Sequence, residues 1–204
     1  MAASGTCDRL QELTERAARN VSTAAVRVAP PPEVRASDAD PIILGIDPGT
    51  ATMGYGLVRA HAGGVYTPVT YGVFETPAHT PMPQRLRFLY AALTRLLSEH
   101  RPTHAVVEKL FFGRNVTTAL TVGQARGVAL LAIAQAGLDV AEYTPAEIKY
   151  ALSSYGKATK SDIQRMTQLL LRLPSIPKPD DAADALAVAL CHAHSLRARA
   201  LGIR

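Results

Sequence analysis

Two short apolar runs, Ile42-Ile43-Leu44-Gly45-Ile46 and Ala105-Val106-Val107, each close on a carboxylate, Asp47 and Glu108. Brief, uninterrupted runs of this kind predict strands buried within a sheet. A chain with two such strands must cover the sheet with helices, which directs it to an α/β layering. The remaining pattern agrees. A second strand is predicted over 54–59, joined to the first by a turn at 48–53, and a third, rich in Val, Tyr, Thr and Phe, over 65–76. Three strands in succession predict an antiparallel meander. Thr80 as N-cap and Pro81 at the first helical position then open a helix to about Glu99, with Leu86, Leu89, Leu93 and Leu96 on one face. After the strand at 104–108 come a long helix over 115–136 and a strand over 139–143. The capping box Thr144-Pro145-Ala146-Glu147 starts another helix. A loop at 153–159 leads to a helix ending near Leu173, and Pro174 to Pro179 separate it from a last helix over 180–197, with Asp180 as its N-cap. The expected architecture is one mixed five-stranded sheet flanked by helices.

The first 40 residues stand apart from this pattern. A short helical pattern, Leu10, Leu13, Ala17 and Val21, runs into Pro30-Pro31-Pro32, and the segment is expected to be a disordered arm preceding a folded domain at 41–204. The longest uncharged apolar run, Val128 to Ala134, is far below the roughly 20 residues that cross a bilayer. No basic and apolar leader precedes it, and Cys7 and Cys191 have no disulfide or zinc spacing, so a reduced cytoplasmic protein is expected. Of 22 Lys and Arg and 17 Asp and Glu, residues 1–40 hold 5 and 6, leaving 17 against 11 in the folded part. A domain carrying that excess of positive charge favours a polyanionic partner such as nucleic acid.

Against this basic background the acids are informative by position. If the strands ending in Asp47 and Glu108 lie parallel and adjacent, about 4.8 Å apart, both carboxylates emerge at one end of the sheet. Asp181 and Asp184 are three apart on the first turn of the last helix and share a face. Four hard oxygen ligands unaccompanied by His or Cys favour Mg²⁺, with Mn²⁺ as a substitute. Two such ions could support metal-dependent phosphodiester hydrolysis. Taken singly, each acid also has an ordinary reading, as a strand-closing turn residue or a helix-start acid. In Cys191-His192-Ala193-His194 consecutive helical positions point different ways, so a metal site is not expected there.

Four motifs taken together closely resemble the RuvC family of Holliday junction resolvases. They are Ile43-Leu44-Gly45-Ile46-Asp47-Pro48-Gly49-Thr50 with Gly54-Tyr55-Gly56, then Val107-Glu108-Lys109-Leu110-Phe111, then Gly123-Gln124-Ala125-Arg126-Gly127-Val128-Ala129, and Asp181-Ala182-Ala183-Asp184-Ala185-Leu186-Ala187. The resemblance spans about residues 42–195. It implies a ribonuclease H-like fold, a homodimer, and metal-dependent paired nicks across a four-way DNA junction in recombination and repair. It further implies Asp47, Glu108, Asp181 and Asp184 as metal-binding catalytic acids. The third of these is open to Asp180, which lies four residues before Asp184. Lys149 and Lys160 resemble basic residues near the scissile phosphate, with Lys157 and Arg114 as further phosphate contacts. Phe111 resembles an aromatic that intrudes on bases at the junction centre, its alternative being a core position beside Phe112. Gly123 and Gly127 suit close helix approach, either across a dimer contact or onto the sheet. Association with a branch-migration complex of RuvA and RuvB is implied by family alone.

Three other readings are set against this one. Asp47-Pro48-Gly49-Thr50 also resembles a phosphate motif of actin-like ATPases and sugar kinases, but those need two such domains. A ribonuclease H-like enzyme would cut RNA in preference to a junction, and a non-catalytic junction binder would have no need of four intact acids.

Overall fold

The computed structural model describes residues 40–109, 116–153 and 158–202. The arm expected over the first 40 residues lies outside them, apart from Asp40. The described chain forms β1 (Ile42–Asp47), β2 (Thr52–His61), β3 (Val65–Glu75), α1 (Met82–His100), β4 (His104–Glu108), α2 (Val116–Gln135), β5 (Val140–Tyr143), α3 (Pro145–Ser153), α4 (Lys160–Leu170) and α5 (Asp180–Ala200). The strands make one mixed sheet in the order β3-β2-β1-β4-β5. The first three form the expected antiparallel meander, and β1-β4 and β4-β5 pair in parallel.

Side chains alternate across a strand, and β1 shows the consequence. Ile43 packs with Val58, Val106 and the inner faces of α3, α4 and α5. Leu44 and Ile46 pack with Val107, Leu89, Leu93, Ala129 and Ile133 of the α1 and α2 layer. All three β1 residues are fully buried. The same alternation sends Asp47 and Glu108 to the α5 face. Ile46 pairs with Val107, so the two acids follow one step later on adjacent parallel strands.

Helix α5 is seated unusually close to the sheet on that face. A Cβ at Gly45 would lie 2.7 Å from the Ala189 nitrogen, one at Gly54 2.6 Å from the Asp181 carbonyl carbon, and one at Gly56 2.8 Å from Leu186 Cδ2. Gly45 pairs with Gly56 and Asp47 with Gly54 across β1 and β2, so the three glycines form one track beneath the helix. The helix matches it with small buried residues, Ala182, Ala185 and Ala189 among them.

Several boundaries differ from expectation. Thr80 does not cap α1: Pro81 occupies the cap position, and the Thr80 carbonyl accepts from Arg85 Nε at 2.9 Å. Likewise Pro179 stands at the cap of α5, while Asp180 is its first helical residue and its carboxylate accepts from Lys178 Nζ at 3.0 Å. In both cases proline supplies the extended entry and the polar side chain or carbonyl beside it is taken by a neighbouring cation. Helix α4 stops at Leu170, short of Leu173, where Arg172 adopts a left-handed conformation with φ of 52°. The Thr144 and Glu147 capping box is present in both directions, at 3.2 and 2.6 Å.

Substituting Gly54→Ala would force the Asp181 backbone off the sheet. Overpacking of this kind costs about 1–3 kcal/mol, so the denaturant midpoint of Gly54→Ala should fall clearly below that of Gly127→Ala, whose added Cβ on a helical backbone meets nothing within 4 Å.

Candidate active site

The acids converge from three elements. Asp47 ends β1, Glu108 ends β4, and α5 brings Asp181 and Asp184 over them through its contact with the glycine track. Two recesses are lined by members of this group. One, of about 250 Å³, is lined by Glu108, Lys149, Lys160 and Asp184 with Ile148 and Ile163. The other, of about 410 Å³, lies between the turn Gly49, Thr50 and Thr52, Thr121 of α2, and Asp181.

Electrostatics shows that these groups act on one another. Burial first, then the charges of Glu108, Asp184 and Asp181, push the Asp47 carboxyl up to about 7, against an opposing pull from Lys160. Burial also holds Glu108 above its ordinary range, helped by Asp184 and opposed by Lys160. Asp184 is raised chiefly by burial, although the Lys160 ammonium donates to its Oδ2 at 2.8 Å. The hydrogen bond to Asp184 in turn raises Lys160.

Asp180 and Asp181 differ in what they contact and in which acids they act on. Asp180 pairs with Lys178 at 3.0 Å and Lys160 at 3.8 Å, and its carboxyl is held low, chiefly by Lys178. Asp181 is partly buried and is one of the charges raising Asp47. Both aspartates raise Asp184, and Asp181 alone of the two also raises Asp47.

Lys149 and Lys160 are both brought to the acids, entering from α3 and α4. Phe111, Arg114 and Lys157 lie outside the described residues. Cys191, His192 and His194 diverge as expected. Cys191 faces the Glu147 carbonyl, His192 the Tyr143 hydroxyl at 3.0 Å, and His194 the Ala151 carbonyl at 2.9 Å. On α2, Ala125, Ala129, Ala132 and Ile133 face the core. Gly127 turns outward, with nothing within 4 Å of an added Cβ. Its lack of a side chain is therefore not required by packing on the sheet.

The donor set suits a hard divalent cation. It is all carboxylate oxygen, and such an ion would relieve the repulsion that raises Asp47. Among the described residues no three His, Cys, Asp or Glu side chains stand close enough to enclose one ion. Lys160 instead provides the positive charge felt by Asp47, Glu108 and Asp184.

Sequence reasoning missed the direct pairing of Lys160 with Asp184, a contact between helices that no local spacing signals. It also missed why Gly45, Gly54 and Gly56 accompany the acids, although their alternation along the strands was visible.

A family profile described as crossover junction endodeoxyribonuclease RuvC matches residues 43–192. The chain is similar to a crossover junction endodeoxyribonuclease RuvC of Desulfitobacterium hafniense, 58% identical over 155 residues, covering 76% of this chain and 93% of the relative. A protein of the same description from Heliobacterium modesticaldum is 57% identical over 155 residues, covering 76% and 95%. Among solved structures, T. thermophilus RuvC in complex with Holliday junction substrate superposes with a TM-score of 0.71 at 33% identity, covering 76% of this chain and 95% of that one. The sheet order and its flanking helices are those of a ribonuclease H-like fold.

The raised Asp47 carboxyl links stability to pH. In the unfolded chain this group ionises near 3.8 and in the native state near 7, so between those values the native protein holds the extra proton. Its contribution to stability therefore falls as pH climbs through that window and stays low above it. Asp47→Asn removes the burden. By calorimetry without divalent ions, the variant should be more stable than the unsubstituted protein at pH 8, by about 2–4 kcal/mol after discounting for partial exposure, and should match it near pH 4. Equal stability at pH 8 would mean that Asp47 titrates as an ordinary carboxylate.

Proposed function

The chain belongs to the RuvC family of crossover junction endodeoxyribonucleases, and on this footing we propose that it resolves four-way DNA junctions by paired symmetric nicks during recombination and repair. The observation that carries the reading is the convergence of four carboxylates from β1, β4 and α5 around a buried Asp47. Asp47, Glu108, Asp181 and Asp184 would hold Mg²⁺, or Mn²⁺ in its place, with two ions per site. When bound, the ions supply the charge that activates water and stabilises the leaving oxygen in phosphodiester hydrolysis.

The chain's own residues do the rest. The sheet holds the backbones of Asp47 and Glu108 side by side at the ends of β1 and β4. Burial on the α5 face keeps the site's dielectric low and its electrostatics strong. Lys149 and Lys160 line the Glu108 recess from the helix side, and their proposed role is to hold the scissile phosphate. Phe111, Arg114 and Lys157 are proposed DNA contacts, Phe111 by stacking on a base. Lines of cut are left with 5′-phosphate and 3′-hydroxyl ends suited to ligation.

Two sites facing strands of like polarity require a two-fold assembly. The proposed contact is the outer face of α2, where Leu120 and Leu131 are 65% and 52% exposed and Gly127 opens between them. These positions are spaced 7 and 4 apart along one face. RuvA and RuvB are proposed partners, and the cytoplasm is the proposed location. No described helix is long and apolar enough to cross a membrane.

On a synthetic four-way junction with Mg²⁺, the protein should make two symmetric nicks, and Asp47→Asn should abolish them. Because Asp47 binds a cation only when ionised, the rate at limiting Mg²⁺ should rise as pH passes through about 7, and added Mg²⁺ should move that midpoint to lower pH. Single-strand cutting with no junction preference, or full activity in Asp47→Asn, would defeat the reading. Leu131→Glu should weaken self-association by about 10-fold or more, seen as monomer in sedimentation at concentrations where the unsubstituted protein is dimeric.

A further inference from the structure

The turn that follows Asp47 is tied down by a hydrogen-bonded chain arriving from the α1 side of the sheet. Thr76, the residue after β3, donates its backbone N–H to the Ala51 carbonyl at 2.9 Å, carrying the β2-β3 ladder one step beyond the pair Thr52 and Glu75. Its hydroxyl donates to the Thr50 carbonyl at 2.7 Å. The same hydroxyl accepts from Arg85 Nη1 at 2.6 Å. Arg85 is anchored in turn by its Nε, which donates to the Thr80 carbonyl at 2.9 Å.

Thr50 and Thr76 are 7% and 8% exposed, so water competes little for these bonds. The Thr50 carbonyl also accepts from Arg85 Nη1, but at 3.5 Å, so losing the Thr76 hydroxyl would leave it with that one long bond. Helix α1 does not need Arg85 for its own packing, which rests on Leu89, Leu93, Leu96 and Leu97. The charges that act on Asp47 come from Glu108, Asp184, Asp181 and Lys160, none of them on α1. What Arg85 and Thr76 hold is the backbone of Thr50 and Ala51, three and four residues after Asp47, which is also one wall of the recess that Thr50 shares with Asp181.

We infer that Arg85 and Thr76 are positioning residues for strand cleavage, fixing through the Thr50 carbonyl the turn that aims the Asp47 carboxylate. The inference rests on the cleavage activity proposed above. It concerns the rate of the chemical step and not affinity for DNA, since the chain lies beneath the turn and reaches the reacting groups only through it.

The test compares full-length Thr76→Val, Thr76→Ser and Arg85→Met in three measurements: junction binding in EDTA, single-turnover cleavage with Mg²⁺, and thermal midpoint. Misplacing a reacting group by about an ångström costs up to about 100-fold in rate. Thr76→Val and Arg85→Met should therefore cleave about 10- to 100-fold more slowly while binding the junction within about twofold of the unsubstituted protein. Thr76→Ser keeps the hydroxyl and should recover the rate to within about threefold. Unimpaired cleavage in Thr76→Val, a loss of binding as large as the loss of rate, or a Thr76→Ser as slow as Thr76→Val would each overturn the inference. The two Thr76 variants decide it even where Arg85→Met fails to fold. Absence of cleavage in the unsubstituted protein would instead defeat the proposed function.

Discussion

The seating of α5 on the glycine track of β1 and β2 is the contact on which the rest of the arrangement depends. With a side chain at Gly45 or Gly54 the helix would have to lift from the sheet, because its backbone already lies where a Cβ would be. That proximity places Asp181 and Asp184 over strand-end carboxylates separated from them by more than 70 residues of chain. A helix riding on ordinary side chains would sit farther from the sheet and carry Asp181 and Asp184 away from the strand-end acids. The alanines of α5 and the glycines beneath it are therefore part of the site's construction as much as the acids are.

The pocket built this way works against the stability of the fold. Buried acids that repel one another are unfavourable in a native state, and Asp47 carries the burden most visibly, its carboxyl displaced to about 7. Lys160 offsets part of this by pairing with Asp184 at 2.8 Å. The flanking layers, with Leu44 and Ile46 on one side and Ile43 on the other, supply the apolar burial that tolerates the arrangement. Sites that must receive a cation are expected to be strained electrostatically in its absence, and this one conforms.

Much of this was legible in the residues. An apolar run closed by an acid, twice, marked two buried strands, and the condition that they lie adjacent and parallel, which β1 and β4 meet, puts both carboxylates at one end of the sheet. The Thr144 and Glu147 box was readable for a similar reason, as both partners lie within one turn. Where the reading slipped, the deciding contacts were not local. Thr80 and Asp180 have the chemistry of N-caps, yet Arg85 claims the carbonyl of one and Lys178 the carboxylate of the other, leaving prolines at the cap positions. The distinction between Asp180 and Asp181 depended on the rotation of α5 about its axis, which Gly54 and Gly56 set from the sheet. The Arg85 and Thr76 chain joins two elements to a turn about 25 residues upstream in sequence, and no periodicity announces such a link.

The central claim is that one electrostatically coupled acid pocket exists and that a divalent cation relieves it. Its most direct test is the titration of the Asp47 side-chain carboxyl by ¹³C NMR, with and without Mg²⁺. The account predicts a midpoint near 7 in metal-free protein and a marked fall when Mg²⁺ is added. A midpoint near 3.8, unmoved by the ion, would contradict it.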